Sequence, residues 1–131
     1  MNLSRSKYNY SYFIVFSILI QLGCGEKAAS TPQVCTMEFR YGLNITVQDS
    51  LSKKPICDAT VQAKDGNYVE TLEQFSTGDP CVYVGAGERA GTYSITVQKT
   101  GYTPKTTDNL IVEKKDCHVT GIVTTISIDS N

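Results

Sequence analysis

Cysteine content is the feature of this sequence that most restricts its fold. Five cysteines occur in a chain of 131 residues: Cys24, Cys35, Cys57, Cys81 and Cys117. The last four are separated by 22, 24 and 36 residues and include no CxxC pair, which does not resemble a zinc site. Four cysteines in an exported protein most simply make two disulfides, and the fifth then needs another role. The sequence predicts no metal and no cofactor.

The N-terminal segment, residues 1–23, has the composition of a secretory signal peptide. Arg5 and Lys7 give it a positive start, and the apolar run 13–20 is about half the ~20 residues that a membrane-spanning helix needs. Gly23-Cys24 resembles the lipobox of bacterial lipoproteins, in which the cysteine receives a diacylglycerol thioether and becomes the mature N-terminus. Residues 24–34 would then be a flexible tether. The alternative is an ordinary signal-peptidase cut after Ser30, which would release a secreted protein.

Charge excludes one class of partner. The whole chain carries a formal net charge of -1. Loss of Arg5 and Lys7 with the signal peptide leaves ten basic against thirteen acidic side chains, a net charge of -3. A mildly acidic surface with scattered lysines predicts no binding to nucleic acid.

Apolar alternation predicts short strands throughout the mature chain. In residues 37–47 every odd position is apolar. Cys35, Phe39 and Tyr41 share this phase and are expected to face the core. Asp65-Gly66 predicts a tight hairpin, and a one-residue change of phase at Gly121 predicts a β-bulge. The other predicted strands are residues 57–63, 67–72, 81–84, 92–98, 110–112 and 117–128. No helical stripe follows Ser30, so residues 35–131 are predicted to form an all-β, antiparallel Greek-key β-sandwich of about seven strands, prealbumin-like or Ig-like.

The disulfide pairing is predicted from this topology. Four cysteines allow three connectivities. In sandwiches of this kind the first strand often lies parallel to the last, which places Cys35 and Cys117 at the same end. Cys57 and Cys81 would then pair with each other.

Two stretches carry a family resemblance. Residues 54–61, Lys-Pro-Ile-Cys-Asp-Ala-Thr-Val, resemble the opening motif of carboxypeptidase-regulatory-like domains, which belong to the transthyretin-like group of β-sandwiches. Residues 91–97, Gly-Thr-Tyr-Ser-Ile-Thr-Val, followed by Thr100-Gly101-Tyr102, resemble a later strand of the same domains. The resemblance implies a β-sandwich over about residues 37–128 and a non-catalytic role, with no catalytic residues to carry over. The four cysteines and the missing Gly before Pro55 depart from the family pattern.

Candidate functional residues are few. His118 is the one histidine of the chain, and strand phase predicts that it faces solvent with nothing to orient it, so we do not expect an enzyme. Glu88 and Arg89 lie in a glycine-rich connection that is a candidate partner-binding loop, although an internal salt bridge is the favoured interpretation. Tyr68, Phe75 and Tyr102 are candidate surface contacts.

These features predict a non-enzymatic, lipid-anchored β-sandwich of the bacterial cell envelope that acts as a binding or structural module. The membrane would be contacted through the lipid on Cys24, and an envelope protein or a glycan is the expected partner. Gly25 rather than Asp follows Cys24, which by resemblance to Gram-negative lipoproteins suggests the outer membrane. The alternative is a secreted adhesin-like or carbohydrate-binding domain.

Overall fold

The computed structural model describes residues 34–131. The predicted signal peptide, Cys24 and the tether up to residue 33 lie outside this range. Within it the chain is all-β. The strands are β1 (Tyr41–Asp49), β2 (Thr60–Asp65), β3 (Tyr68–Thr71), β4 (Glu73–Gln74), β5 (Val82–Gly87), β6 (Gly91–Gln98), β7 (Lys105–Lys115), β8 (His118–Thr120) and β9 (Ile122–Ile128).

Two packed sheets form a β-sandwich, as the alternation predicts. The four-stranded sheet has the order β4-β5-β1-β9, and the five-stranded sheet has the order β3-β2-β6-β7-β8. Neighbouring strands are antiparallel except β1 and β9, which pair in parallel from Leu43 opposite Ile122 to Asp49 opposite Ile128. The expectation that the first strand lies parallel to the last is therefore confirmed. The nine strands exceed the predicted seven because β4 is an addition and the last predicted strand is divided.

The core lies between the inner faces of the sheets. Its fully buried members include the alternate residues of three strands: Leu43, Ile45 and Val47 of β1, Val61 and Ala63 of β2, and Tyr93, Ile95 and Val97 of β6. Each buried Val, Leu or Ile contributes about 1.5–3 kcal/mol relative to an exposed position. The predicted core residues of these three strands are confirmed except Tyr41 of β1, and the hairpin at Gly66, where β2 pairs with β3, is also confirmed.

The segment before β1 departs from the prediction. β1 begins at Tyr41, which pairs with Gly87, the last residue of β5. Residues 34–40 belong to no strand, so the apolar alternation continues in the sequence beyond the end of the sheet. Phe39 is 61% exposed and Cys35 is also exposed, so the prediction that both face the core is wrong. Tyr41 is half-buried.

Gly121 marks a change of sheet and not a β-bulge. β8 pairs with β7 in the five-stranded sheet, whereas β9 pairs with β1 in the four-stranded sheet. The apolar phase shifts by one residue because the two halves face the core from opposite sides. A Cβ atom at position 121 would lie 2.6 Å from the carbonyl oxygen of Tyr41, so the crossing requires glycine.

Three strand boundaries also differ from the prediction. β2 begins at Thr60, after Cys57, and β5 continues to Gly87 where the glycine-rich sequence predicted a connection. β7 has eleven residues in place of the predicted three. Most of its side chains are exposed, so it shows little apolar alternation, and its pairing with β6 and β8 defines it instead.

Candidate functional site

Both predicted disulfides are present. Cys35–Cys117, with a Cα–Cα distance of 5.5 Å, fastens the segment before β1 to the turn between β7 and β8. Cys57–Cys81, with a Cα–Cα distance of 5.3 Å, joins the approach to β2 in one sheet to the approach to β5 in the other. Disulfides of this kind indicate an oxidising, extracytoplasmic compartment.

The connection between β5 and β6 carries the two candidate binding residues, Glu88 and Arg89. Ala86 and Glu88 adopt left-handed backbone conformations, with φ angles of 51° and 50°. Residues with a Cβ atom adopt this conformation rarely, and it costs free energy that the surrounding contacts must offset. The two charged side chains of the connection contact different parts of the domain.

Glu88 is the centre of a polar cluster that we call the Glu88 cluster: Thr36, Arg40, Glu88 and His118. Glu88 Oε1 accepts from the backbone N–H of Arg40 at 2.9 Å and lies 2.8 Å from His118 Nδ1. Glu88 Oε2 accepts from the backbone N–H of Val119 at 3.3 Å, and the Glu88 N–H donates to the Arg40 carbonyl at 2.9 Å. One carboxylate thus holds the segment before β1 against β8.

The prediction that His118 faces solvent with nothing to orient it is wrong. Its side chain is only 17% exposed, and its Nε2 lies 3.1 Å from Thr36 Oγ1. A carboxylate accepts only, so Nδ1 carries a proton toward Glu88, and in the neutral ring Nε2 accepts from the Thr36 hydroxyl. Strand phase could not reveal these partners because the Cys35–Cys117 disulfide brings Thr36 to His118 from the far end of the domain. The predicted Cys35–Cys117 pairing implies that residues 36 and 118 are neighbours, but no sequence signal links Glu88 to them.

The Glu88 cluster gives the stability a pH dependence. The hydrogen bond from His118 is the main cause that holds the pKa of Glu88 below its ordinary value. Burial opposes it, and the hydrogen bonds from the backbone of Arg40 and Val119 lower the pKa by smaller amounts. A carboxyl whose folded pKa is depressed stabilises the protein above its unfolded pKa of about 4.3, and this contribution is lost as the pH falls through the folded pKa.

We therefore expect Glu88→Gln to lower the urea midpoint at pH 7 and to have a much smaller effect at pH 3. Equilibrium unfolding at both pH values measures this. Glu73→Gln, at an exposed glutamate of β4, is the matched control and should leave the midpoint almost unchanged at either pH. An effect of Glu88→Gln that is equal at pH 7 and pH 3 would contradict the assignment.

Arg89 lies in a second cluster, the Arg89 cluster: Asp65, Tyr68, Arg89 and Tyr93. Arg89 Nη1 donates to Asp65 Oδ2 and to Tyr93 Oη, both at 2.7 Å, and the Tyr93 hydroxyl donates to the Arg89 carbonyl at 3.0 Å. The guanidinium carbon lies 3.9 Å from the centre of the Tyr68 ring, within the range of a cation–π contact. The hydrogen bonds to Tyr93 and Asp65 raise the pKa of Arg89. The internal salt bridge favoured from the sequence is confirmed.

Glu70 fixes the other side of the same connection. Its Oε2 accepts from the Tyr68 hydroxyl and from the backbone N–H of Ala86, both at 2.7 Å. Burial, and then the hydrogen bond to Glu70, raise the pKa of Tyr68 to about 12. Tyr68 is therefore neutral at physiological pH and able to donate to the carboxylate. Glu88 and Arg89 are thus brought to the same connection but engaged internally, and their role as a partner-binding loop stays a prediction.

The outer face of the five-stranded sheet carries two open polar depressions. The first, of about 420 Å³, is lined by Asp58, Thr60, Gln98, Lys99, Thr100 and Pro104. The second, of about 510 Å³, is lined by Lys64, Gly66, Thr92, Ser94, Asp108 and Asn109. Lys99 forms an ion pair with Asp58 at the rim of the first and lowers the pKa of that carboxyl. Hydroxyl, amide and paired charged groups of this kind suit polar ligands. No pattern in the amino-acid sequence predicts either depression.

Three aromatic rings that lie close together include two exposed phenylalanines, and we call Phe39, Tyr41 and Phe75 the aromatic row. The Phe39 and Tyr41 rings are 5.1 Å apart, edge to face, and the Tyr41 and Phe75 rings are 6.3 Å apart. Phe75 is 72% exposed, as expected from its place in a polar loop, whereas Tyr68 and Tyr102 are half-buried. The sequence predicted Phe75 at the surface but not its association with Phe39.

Across residues 34–131 the structure groups no three His, Cys, Asp or Glu side chains in a way that could hold a metal ion. In the same range no helix is long and apolar enough to cross a membrane. Together the fold and the disulfides define the class: an all-β sandwich domain, stabilised by two disulfides.

Neither a scan against protein-family models nor a search of curated proteins found a match to this chain.

Proposed function

We propose that the protein is a non-enzymatic, lipid-anchored β-sandwich of the bacterial cell envelope that acts as a binding or structural module. The observation that carries the proposal is the use of the cysteines. Cys35 pairs with Cys117 and Cys57 with Cys81, so four of the five are consumed inside the domain. Cys24 is left over, directly after the small residue and apolar run of a lipobox.

A non-catalytic role is supported by the structural contacts that Thr36, His118 and Glu88 make. Thr36, His118 and Glu88 lie in hydroxyl–imidazole–carboxylate order, which is also the order of a hydrolase triad. Neither polar depression includes any of the three, and both oxygens of Glu88 also accept backbone N–H groups. These contacts suit a clamp on the segment before β1. We therefore expect His118→Ala to give the same result as the unsubstituted protein in any assay of hydrolase activity.

Relationship to carboxypeptidase-regulatory-like domains is part of the same proposal. The first motif that resembles the family, residues 54–61, leads into β2, and the second, residues 91–97, lies on β6; the two strands are paired neighbours with Val61 opposite Val97. The partner would be an envelope protein or a glycan, and the two polar depressions beside β2 and β6 are the surfaces that suit it.

The lipid anchor is tested by expressing the full chain in a Gram-negative host and measuring the intact mass of the mature protein. We expect a diacylglyceryl-modified N-terminus at Cys24 and recovery in the outer-membrane fraction. Cys24→Ser should lose the modification and the membrane association together, because the thioether cannot form.

Ser30→Leu is the matched control. It removes the small residue at the alternative cleavage site and should leave lipidation at Cys24 unchanged. An unmodified mature protein that begins at Thr31, and that Ser30→Leu abolishes, would refute the anchor and establish the secreted alternative.

A further inference from the structure

The aromatic row exposes more apolar surface than the fold requires. Phe39 and Phe75 stand largely in solvent, and Val34 and Met37, in the same segment as Phe39, are almost fully exposed. A phenylalanine or tyrosine side chain buries about 150–250 Å² when it is covered. Contiguous apolar patches of several such side chains are typical of interaction surfaces.

The row lies where the predicted tether enters the domain. Phe39 follows Val34 by five residues, and Cys35–Cys117 fastens the start of this segment to the β7–β8 turn. Ten residues, 25–34, separate Cys24 from this point. Ten residues reach at most about 35 Å when extended and about 18 Å on average as a flexible chain. A lipid on Cys24 would therefore hold the row close to the bilayer.

The side chains suit a lipid surface better than a sugar or a charged partner. Val34 and Met37 offer aliphatic and thioether groups, which enter the boundary of the acyl chains but do not stack on sugar rings. Tyrosine and other amphipathic aromatics favour the interface between headgroups and acyl chains.

The charges near the row are mostly compensated or mixed. Arg40 pairs with Glu38 at 3.0 Å, and Glu88 is bonded to His118. Lys114 and Lys115 are exposed just before the disulfide-linked turn, but Glu113 and Asp116 flank them. Apolar contact, and not attraction between charges, would therefore supply the binding free energy.

We propose that the aromatic row, with Val34 and Met37, rests on the phospholipid surface and orients the anchored domain on the membrane. The proposal depends on the lipid anchor proposed above for Cys24. It assigns the row a role that an anchor alone does not provide, since a flexible tether leaves the orientation of the domain free. The polar depressions on the other sheet would then be held in a fixed orientation toward their partner.

The absence of tryptophan from the sequence makes a direct test available. Phe39→Trp and Phe75→Trp each introduce a single tryptophan into the row, and Val69→Trp introduces one on β3, in the other sheet, at a position that is 52% exposed. The lipidated full-length mature protein is reconstituted into vesicles of phosphatidylethanolamine and phosphatidylglycerol. Emission spectra are then recorded with and without brominated phospholipid.

We expect the two row variants to emit at shorter wavelength in vesicles than the same variants with Cys24→Ser do in buffer, and to be quenched by bromine. Val69→Trp should show neither effect. Equal melting temperatures for the three variants show that each is folded. Row spectra identical to those of Val69→Trp, in protein whose mass shows the lipid, would overturn the proposal and leave the anchor intact. A change that appears with peptidoglycan fragments and not with vesicles would also overturn it. A mature protein without lipid would refute the anchor, and this inference with it.

Discussion

Removing the Cys57–Cys81 disulfide should destabilise the protein at least twice as much as removing Cys35–Cys117, although it closes the shorter loop. Loop length alone predicts the opposite order. The sequence separations are 82 residues for Cys35–Cys117 and 24 for Cys57–Cys81. In the chain-entropy model these give stabilisations of about 4.5 and about 3.5 kcal/mol.

The positions of the two disulfides in the fold reverse this order. Cys35 is exposed and lies in a segment that belongs to no strand, so without its disulfide this segment can detach while both sheets stay folded. The freed segment then gains conformational entropy in the folded state as well. This gain offsets part of the entropy that the unfolded state gains when the disulfide is removed. Cys81, in contrast, is fully buried, and its disulfide connects the two sheets. Its loss adds a cavity in the core to the entropic cost.

We expect Cys57→Ala/Cys81→Ala to lower the free energy of unfolding by about 4 kcal/mol and Cys35→Ala/Cys117→Ala by about 1–2 kcal/mol. Equilibrium unfolding in urea without reductant measures both. Thr36→Ala is a control that loosens the same segment with both disulfides intact. If Cys35→Ala/Cys117→Ala lowers the free energy of unfolding more than the other pair does, loop length alone sets the stabilisation and the segment before β1 does not detach.

The sequence predicted correctly those strands and turns whose own residues carry the signal. Alternation identified the buried faces of β1, β2 and β6, and the hairpin at Gly66 followed from turn chemistry. The predictions were wrong where pairing with a neighbouring strand decides whether a segment joins a sheet. Phe39 keeps the apolar phase of β1 but has no partner strand, and β7 is held by pairing despite its polar sequence.

The candidate site shows the same division. That Glu88 and Arg89 share a glycine-rich connection is visible in the sequence, but their partners come from distant parts of the chain. His118 is 30 residues from Glu88 and 82 from Thr36, and Asp65 is 24 from Arg89. The predicted Cys35–Cys117 disulfide implies that Thr36 and His118 are neighbours, but only the pairing of strands adds Glu88, so the full order Thr36, His118, Glu88 could not be anticipated.

Tyr93→Ala should be among the most destabilising single substitutions in the domain. The Tyr93 side chain is fully buried, and its ring lies 6.3 Å from that of Tyr68, edge to face. Removing a buried aromatic side chain costs about 3–5 kcal/mol. Phe75→Ala removes an aromatic side chain from the surface and, as the matched control, should cost no more than about 0.5 kcal/mol.

Tyr93→Phe separates the hydroxyl from the ring. It keeps the packing but removes the acceptor for Arg89 Nη1 and the donor to the Arg89 carbonyl, which should cost about 1–3 kcal/mol. Unfolding of Tyr93→Phe, Arg89→Ala and the double variant forms a thermodynamic cycle. We expect the double variant to cost clearly less than the two single costs together, because both single substitutions remove the hydrogen bond from Arg89 Nη1 to the Tyr93 hydroxyl. Additive costs would mean that Arg89 does not depend on Tyr93 for its position and is held by Asp65 and the Tyr68 ring instead.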